Sequence, residues 1–218
     1  PYERHQSYNR IINEHDLAIY MCVGSVFTGN YQIALSWKKE NDLDNRLHVI
    51  DTESASGRLG TAVIATVQYA IETNDPDKVL KFAREAAKKT EEYIFLDKLH
   101  YLAAGGRLSK TSAFFGDLLH MKPVVSPMGD GAKKVGVVRN QDDQIKFAME
   151  KLSQSLNRDS SALIMIQYTD NKSWVDENVK TEVERLYNKS KIILQPLSLT
   201  TGVHTGPGTW AIAFLEIN

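Results

Sequence analysis

The chain is 218 residues long, 42% hydrophobic and 24% charged, the proportions of an ordinary globular protein. Its 26 basic and 27 acidic residues leave a net charge of −1, which excludes the basic footprint of a nucleic-acid binder. No apolar run approaches the ~20 residues that span a bilayer, and a single cysteine, Cys22, excludes an internal disulfide framework and suits a reducing, cytoplasmic compartment.

The first residue is Pro1 and no signal-peptide pattern follows, so the chain reads as a fragment or a processed piece. Two short apolar runs, "LAIYMCVG" (17–24) and "RLHVIDT" (46–52), read as strands. Cys22 sits inside the first as a small buried hydrophobe. Between them "NYQIALSWKKEN" has helical spacing. Residues 58–73 form an apolar run long enough for a buried helix. Residues 75–89 carry an N-cap Asp75 and Pro76 at the first helical position, the usual start signal. This βαβα rhythm predicts a parallel sheet with helices packed on it.

Beyond residue 90 the rhythm changes. A strand is expected over 92–97 and a helix over 109–121. "PVVSPM" and "KVGVVRN" flank "GDGAKK", whose Gly-Asp-Gly is a hairpin signal. A helix over 141–156, a strand over 161–169, a helix over 173–189 and strands over 191–199 and 209–217 complete the pattern. The fold class expected is α/β in two parts: a parallel-sheet amino-terminal domain over 1–90 and a smaller mixed-sheet domain over 91–218. No linker longer than a turn separates them, so they pack closely, and clefts between domains are common ligand sites.

Four stretches can carry chemistry. "GSVFTGNYQIAL" (24–35) follows a strand and opens a helix, whose free N–H groups and dipole suit an anion. Ser25, Thr28 and Asn30 add donors and Gly29 allows close backbone approach; plain helix capping explains the same residues. "LAAGGRLSKTSAFFG" (102–116) resembles a phosphate loop, but Ser109 stands where the Walker pattern requires glycine before the lysine. Arg107 within it can reach an anion or serve structure. Arg139 closes a strand with a guanidinium matched to carboxylate or phosphate geometry; alone, it reads as a solvated strand end. "VHTGPGTWAIAFLEI" (203–217) sets His204 in a loop rigidified by Gly206 and Pro207. There is no HExxH, paired-cysteine or GxSxG pattern, so neither a metal nor a nucleophile is expected. The chain reads as a binder and not as a complete enzyme.

"TGNYQIA", "VIDTESASGRLG", "YLAAGGRLSKTSAFFGDLLHMKPVV" and "GVHTGPG" occur in the order and spacing of the DegV family, the bacterial fatty-acid-binding proteins, which the chain resembles over nearly its whole length. The resemblance implies a long-chain fatty acid held between two α/β domains, with no other cofactor. It implies a fatty acid kinase as partner, a separate ATP-using protein that phosphorylates the presented carboxylate. Thr28, Gly29 and Asn30 match the family's Ser-Gly-Thr-Tyr element, with Ser25 nearby, and would hold the carboxylate. Arg139 and His204, with Thr205 and Gly206, match the residues set at the head group for engagement with the kinase; Arg107 is a further candidate. Phe114, Phe115, Leu118 and Leu119 would line the acyl tunnel or fill the second domain's core. The family's opening strand with its Asp-Ser-Thr-type motif, and its Thr-Ser-Gln-Pro-Ser segment, have no counterpart here, so the amino-terminal domain is expected to be incomplete. A distantly related layout, that of dihydroxyacetone kinases, gives the alternative of a small-molecule phosphotransfer subunit; a regulatory module of a longer polypeptide is a third.

Overall fold

The computed structural model describes residues 2–108 and 121–217. It opens with a helix that the sequence reading did not anticipate, α1 (Tyr2–Glu14). Its buried Tyr8 packs against Tyr20 and Trp37, with ring centroids 5.7 and 5.2 Å away. Then come β1 (Ala18–Cys22), α2 (Asn30–Asn41) and β2 (Leu47–Asp51), and the two strands pair in parallel as the rhythm predicts. Helices α3 (Ser56–Thr73) and α4 (Pro76–Lys89) follow. Asp75 caps α4 as expected, accepting the Lys78 N–H at 3.2 Å.

The second half holds β3 (Glu91–Phe95), α5 (His100–Ala104), β4 (Lys122–Met128), β5 (Gly131–Val138), α6 (Gln141–Ser155) and β6 (Ala162–Tyr168). The helix expected over 173–189 forms as one uninterrupted helical run over 172–186 with a π turn inside it: α7 (Lys172–Val175), the π turn (Asp176–Lys180) and α8 (Thr181–Leu186). The wide turn closes where both the Thr181 N–H and the Thr181 hydroxyl return to the Asp176 carbonyl, five residues back. The strand expected to reach residue 199 stops early, as β7 (Lys191–Pro196), and Ser198 caps a helix in its place, α9 (Leu199–Thr205). The last strand is β8 (Trp210–Glu216). The helix expected over 109–121, with Phe114, Phe115, Leu118 and Leu119, lies outside the described residues apart from Met121.

The fold is mixed α/β, with a two-stranded parallel sheet and a six-stranded mixed sheet ordered β5-β4-β3-β8-β6-β7. Among the described strands of the larger sheet β6 and β7 are the neighbours that pair in parallel, and β4–β5 is the hairpin foreseen at Gly-Asp-Gly. One face of that sheet buries Phe95, Ile164, Trp210 and Phe214 under Leu152, Val183 and Tyr187. On its other face α3 and α4 pack through Ala62, Ala65, Ala83 and Ala86, and they meet Met21 and Ile50 of the small sheet on their far side. Alanine at these positions leaves room for helices wedged between two sheets. Cys22 is fully buried, as expected.

Candidate functional site

The loops that leave the carboxyl ends of β1 and β2 are stitched together. The Thr52 hydroxyl donates to the Cys22 carbonyl at 2.6 Å, and the Gly24 N–H donates to the Ser54 carbonyl at 2.7 Å. Asp51 Oδ1 accepts the N–H groups of Ser25 at 3.0 Å and Glu53 at 3.1 Å. A methyl group on Gly24 would lie 2.8 Å from the Ser54 nitrogen, so this crossing of two backbones requires glycine. The crevice beyond the carboxyl ends of parallel strands is where open α/β sheets receive ligands.

A cavity of about 260 Å³ opens there, between these loops and the larger sheet. Its apolar wall comes from Val23 and Phe27 of the first loop, Ile94 of β3, Leu102 of α5, Val125 of β4 and Ala132 of β5. Its polar wall comes from Thr28, Asn30, Ser56, Arg107, and Thr201 and His204 of α9. Arg107 is the charged side chain of this wall, and none of the described lining residues is acidic. The cavity is therefore amphipathic, with a cationic rim suited to an anionic head group on an apolar body.

Thr28, Asn30, Arg107, His204 and Thr205 all line this one cavity, although they are distant in sequence. Thr28 accepts the Asn30 N–H at 3.2 Å through its hydroxyl oxygen, and Arg4 of α1 holds the Asn30 amide oxygen at 2.6 Å. Gly29 is exposed at the α2 N-cap, and Ser25 is exposed in the turn before it. Arg107 donates to the Gly105 carbonyl at 2.6 Å. Ser25, Gly29, Gly206 and Arg139 are not among the described residues that line the cavity. Arg139 stands exposed just past β5.

The expectation that His204 sits in a loop is corrected. His204 and Thr205 form the last turn of α9, and only from Gly206, at φ +80°, does the chain become a loop. Tyr101 of α5 occupies the space beside Gly206 that a side chain would need. Likewise, a side chain at Gly105 would overlap Nδ1 of His204, so the imidazole lies directly on the α5 terminus. The turn after Gly206 is fastened by Asp170, which accepts the Gly208 N–H at 2.6 Å. Burial, and then the charge of Arg107, hold the His204 imidazole below its ordinary pKa, which favours the neutral form.

The cavity also uses residues that sequence reasoning did not assign: Ser56, Ser198, Thr200 and Thr201. A signal for the last three was present. "SLTTGVHTG" pairs a capping serine with a terminating glycine around one short helix.

The model of the DegV family, described as uncharacterised, matches residues 1–216. The chain belongs to this family. It is 26% identical over 223 residues to a DegV domain-containing protein of Streptococcus pyogenes serotype M1, covering 97% of this chain and 75% of the relative. It is 25% identical over 198 residues to a protein of Thermotoga maritima named as fatty acid-binding, covering 90% of this chain and 68% of that one. Among solved structures, a DegV family protein from Thermus thermophilus, described for its fatty acid binding, superposes with a TM-score of 0.86 at 20% identity, over 98% of this chain and 75% of that one. Among the described residues, no helix is long and apolar enough to cross a membrane, and no cluster of histidine, cysteine or carboxylate groups could hold a metal ion.

Proposed function

We propose that the chain binds a long-chain fatty acid in the cavity and presents its carboxylate to a separate fatty acid kinase, acting as a carrier and not as an enzyme. One observation carries this reading: a single cavity joins an apolar wall to a polar, cationic rim free of acids among its described residues. The fatty acid binding named for the Thermotoga and Thermus relatives supports it.

In this reading the carboxylate lies at the Thr28–Asn30 end, near the start of α2, where the positive end of the helix dipole favours an anion. The acyl chain runs along Ile94, Leu102 and Val125, and each buried methylene contributes about 0.8 kcal/mol. Residues 1–90 supply the head-group loops and, through Val23 and Phe27, part of the apolar wall; 91–218 supply the rest of that wall, Arg107 and α9. His204, with Arg139, acts on the exposed head group when the kinase engages, where a neutral imidazole can donate a hydrogen bond without drawing the carboxylate away. Cys22, buried and unpaired, accords with a cytoplasmic setting.

Native mass spectrometry of the purified protein, followed by lipid extraction, tests the reading. A fatty acid at near one-to-one stoichiometry is the expected result. An empty protein that takes up no added fatty acid would overturn it.

A further inference from the structure

Helix α3 begins without a cap of its own: Ala55 occupies the N-cap position and no local side chain closes the first turn. The acceptor comes from the other sheet. Glu92 of β3 is fully buried and takes the Gly57 N–H at 2.9 Å on one oxygen and the Arg58 N–H at 3.1 Å on the other. The Ser56 hydroxyl lies beside the carboxyl as well, with its one proton directed to Gln167 Oε1 at 3.2 Å. A methyl group on Gly57 would lie 2.8 Å from Glu92 Oε1, so the helix approaches this carboxyl as closely as glycine permits.

The turn so held is unusual in another way. Ser56 has φ +55°, a left-handed conformation that costs a non-glycine residue energy unless its surroundings impose it. Ser56 and the preceding Ala55 are also cavity wall. One buried carboxyl therefore fixes a strained turn whose other side faces the ligand space.

We infer that Glu92 is a positioning residue for the cavity: its ionised carboxylate locks the Ser56 turn in the binding-competent shape, and protonation of Glu92 loosens it. The inference rests on the fatty acid reading of the cavity. An ionised carboxylate offers a strong acceptor oxygen to each of the two backbone N–H groups, whereas protonation turns one oxygen into a hydroxyl, a much poorer acceptor, and weakens the hold on the turn.

The surroundings allow such a switch. Arg58 of α3 is the charged neighbour of Glu92, and its guanidinium is itself occupied by the Pro127 carbonyl at 2.9 Å and the Lys88 carbonyl at 3.3 Å. The neighbours from β6 and β8 are Gln167 and Ala213, which carry no charge. Glu91, next on β3, is held elsewhere, by Tyr93 at 2.8 Å and Ser155 at 2.6 Å. Burial pushes the Glu92 carboxyl up to about 7, against the downward pull of its hydrogen bonds and of Arg58. Linkage then requires reciprocity: if ionised Glu92 favours the ligand, the ligand must expel a proton from Glu92.

The test is calorimetric titration of sodium palmitate into wild-type protein, Glu92→Gln and Ser56→Ala, from pH 6 to 8, in two buffers of different ionisation enthalpy. Wild-type affinity is expected to rise with pH, with proton release near pH 7. Glu92→Gln is expected to bind roughly tenfold more weakly at pH 8, the effect of one lost hydrogen bond to a charged group, and to lose that proton release. Ser56→Ala is expected to lose the same proton release with Glu92 still in place. Wild-type affinity and proton release in both variants would overturn the inference while leaving the fatty acid reading intact. If Glu92→Gln does not fold, Ser56→Ala decides alone: retained proton release overturns the inference, and its loss supports it. Wild-type protein that takes up no palmitate defeats the fatty acid reading, and this inference with it.

Discussion

At the scale of single residues, the cavity is held by hydroxyls, one imidazole and a few glycines that give way to them. Thr28→Ala removes a hydroxyl from the proposed carboxylate end, and palmitate affinity measured by calorimetry is expected to fall about tenfold. Unchanged affinity would remove Thr28 from the site. His204→Ala and Arg139→Ala are expected to depress acyl phosphate formation in a kinase-coupled assay more than they weaken palmitate binding; equal losses would mark both residues as structural. Gly105→Ala tests the contact under His204, because the new methyl group meets the imidazole. Displacement of the ring, read as altered His204 NMR shifts, is expected, with a stability loss of about 1–3 kcal/mol for overpacking. Much of this was legible in the sequence. Thr28 and His204 were found because short motifs carry them, and Arg107 because it follows paired glycines. Ser56 was quoted within a motif yet given no role, since nothing local marks a serine that will turn left-handed. Glu92 was invisible as well: its partners lie 34 and 35 positions earlier, and only the packed fold brings them together.

At the scale of elements, the strands and long helices followed from periodicity, and the errors cluster where local signals compete with packing. Asp75 and Pro76 marked the start of α4 correctly because a cap acts on its own first turn. Asp75→Ala is therefore expected to cost about 1 kcal/mol in urea unfolding, with ligand affinity unchanged. By contrast, α9 was read as the end of a strand followed by a loop. Its seven residues are too few for a period to show, and Leu199 and Val203 point outward instead of marking a buried face. The π turn between α7 and α8 was missed because an i to i+5 closure leaves the polar and apolar pattern almost unchanged. Helix α1 was passed over too, since only Tyr8 along its thirteen residues is buried.

At the scale of the whole molecule, the helices α3 and α4 lie between two sheets, and the cavity sits between the loops beyond the small sheet and the larger sheet. A ligand held there stabilises the assembly by mass action, so palmitate at a hundredfold its dissociation constant is expected to add about 2.7 kcal/mol to unfolding. A thermal melt with no shift would argue against binding to the native state. The pH dependence has a sign fixed by Glu92. Its folded pKa of about 7 lies above its ordinary value of 4.5, so its contribution to stability is fully present below about pH 4.5 and is lost as pH rises through 7. Wild-type protein is expected to lose stability relative to Glu92→Gln between pH 5 and 8 in urea titrations; parallel curves would show that Glu92 titrates normally. Stability and ligand affinity thus move in opposite directions across neutral pH. The order of the large sheet has a consequence for synthesis. β8 is the strand that joins β3 to β6, yet it is translated after both. Until residues 210–216 leave the ribosome, the hairpin side and the β6–β7 side are two unconnected half-sheets with exposed edges. A chain interrupted before β8 would keep both half-sheets with unpaired edges, and it is expected to aggregate or be degraded instead of folding with a weakened site.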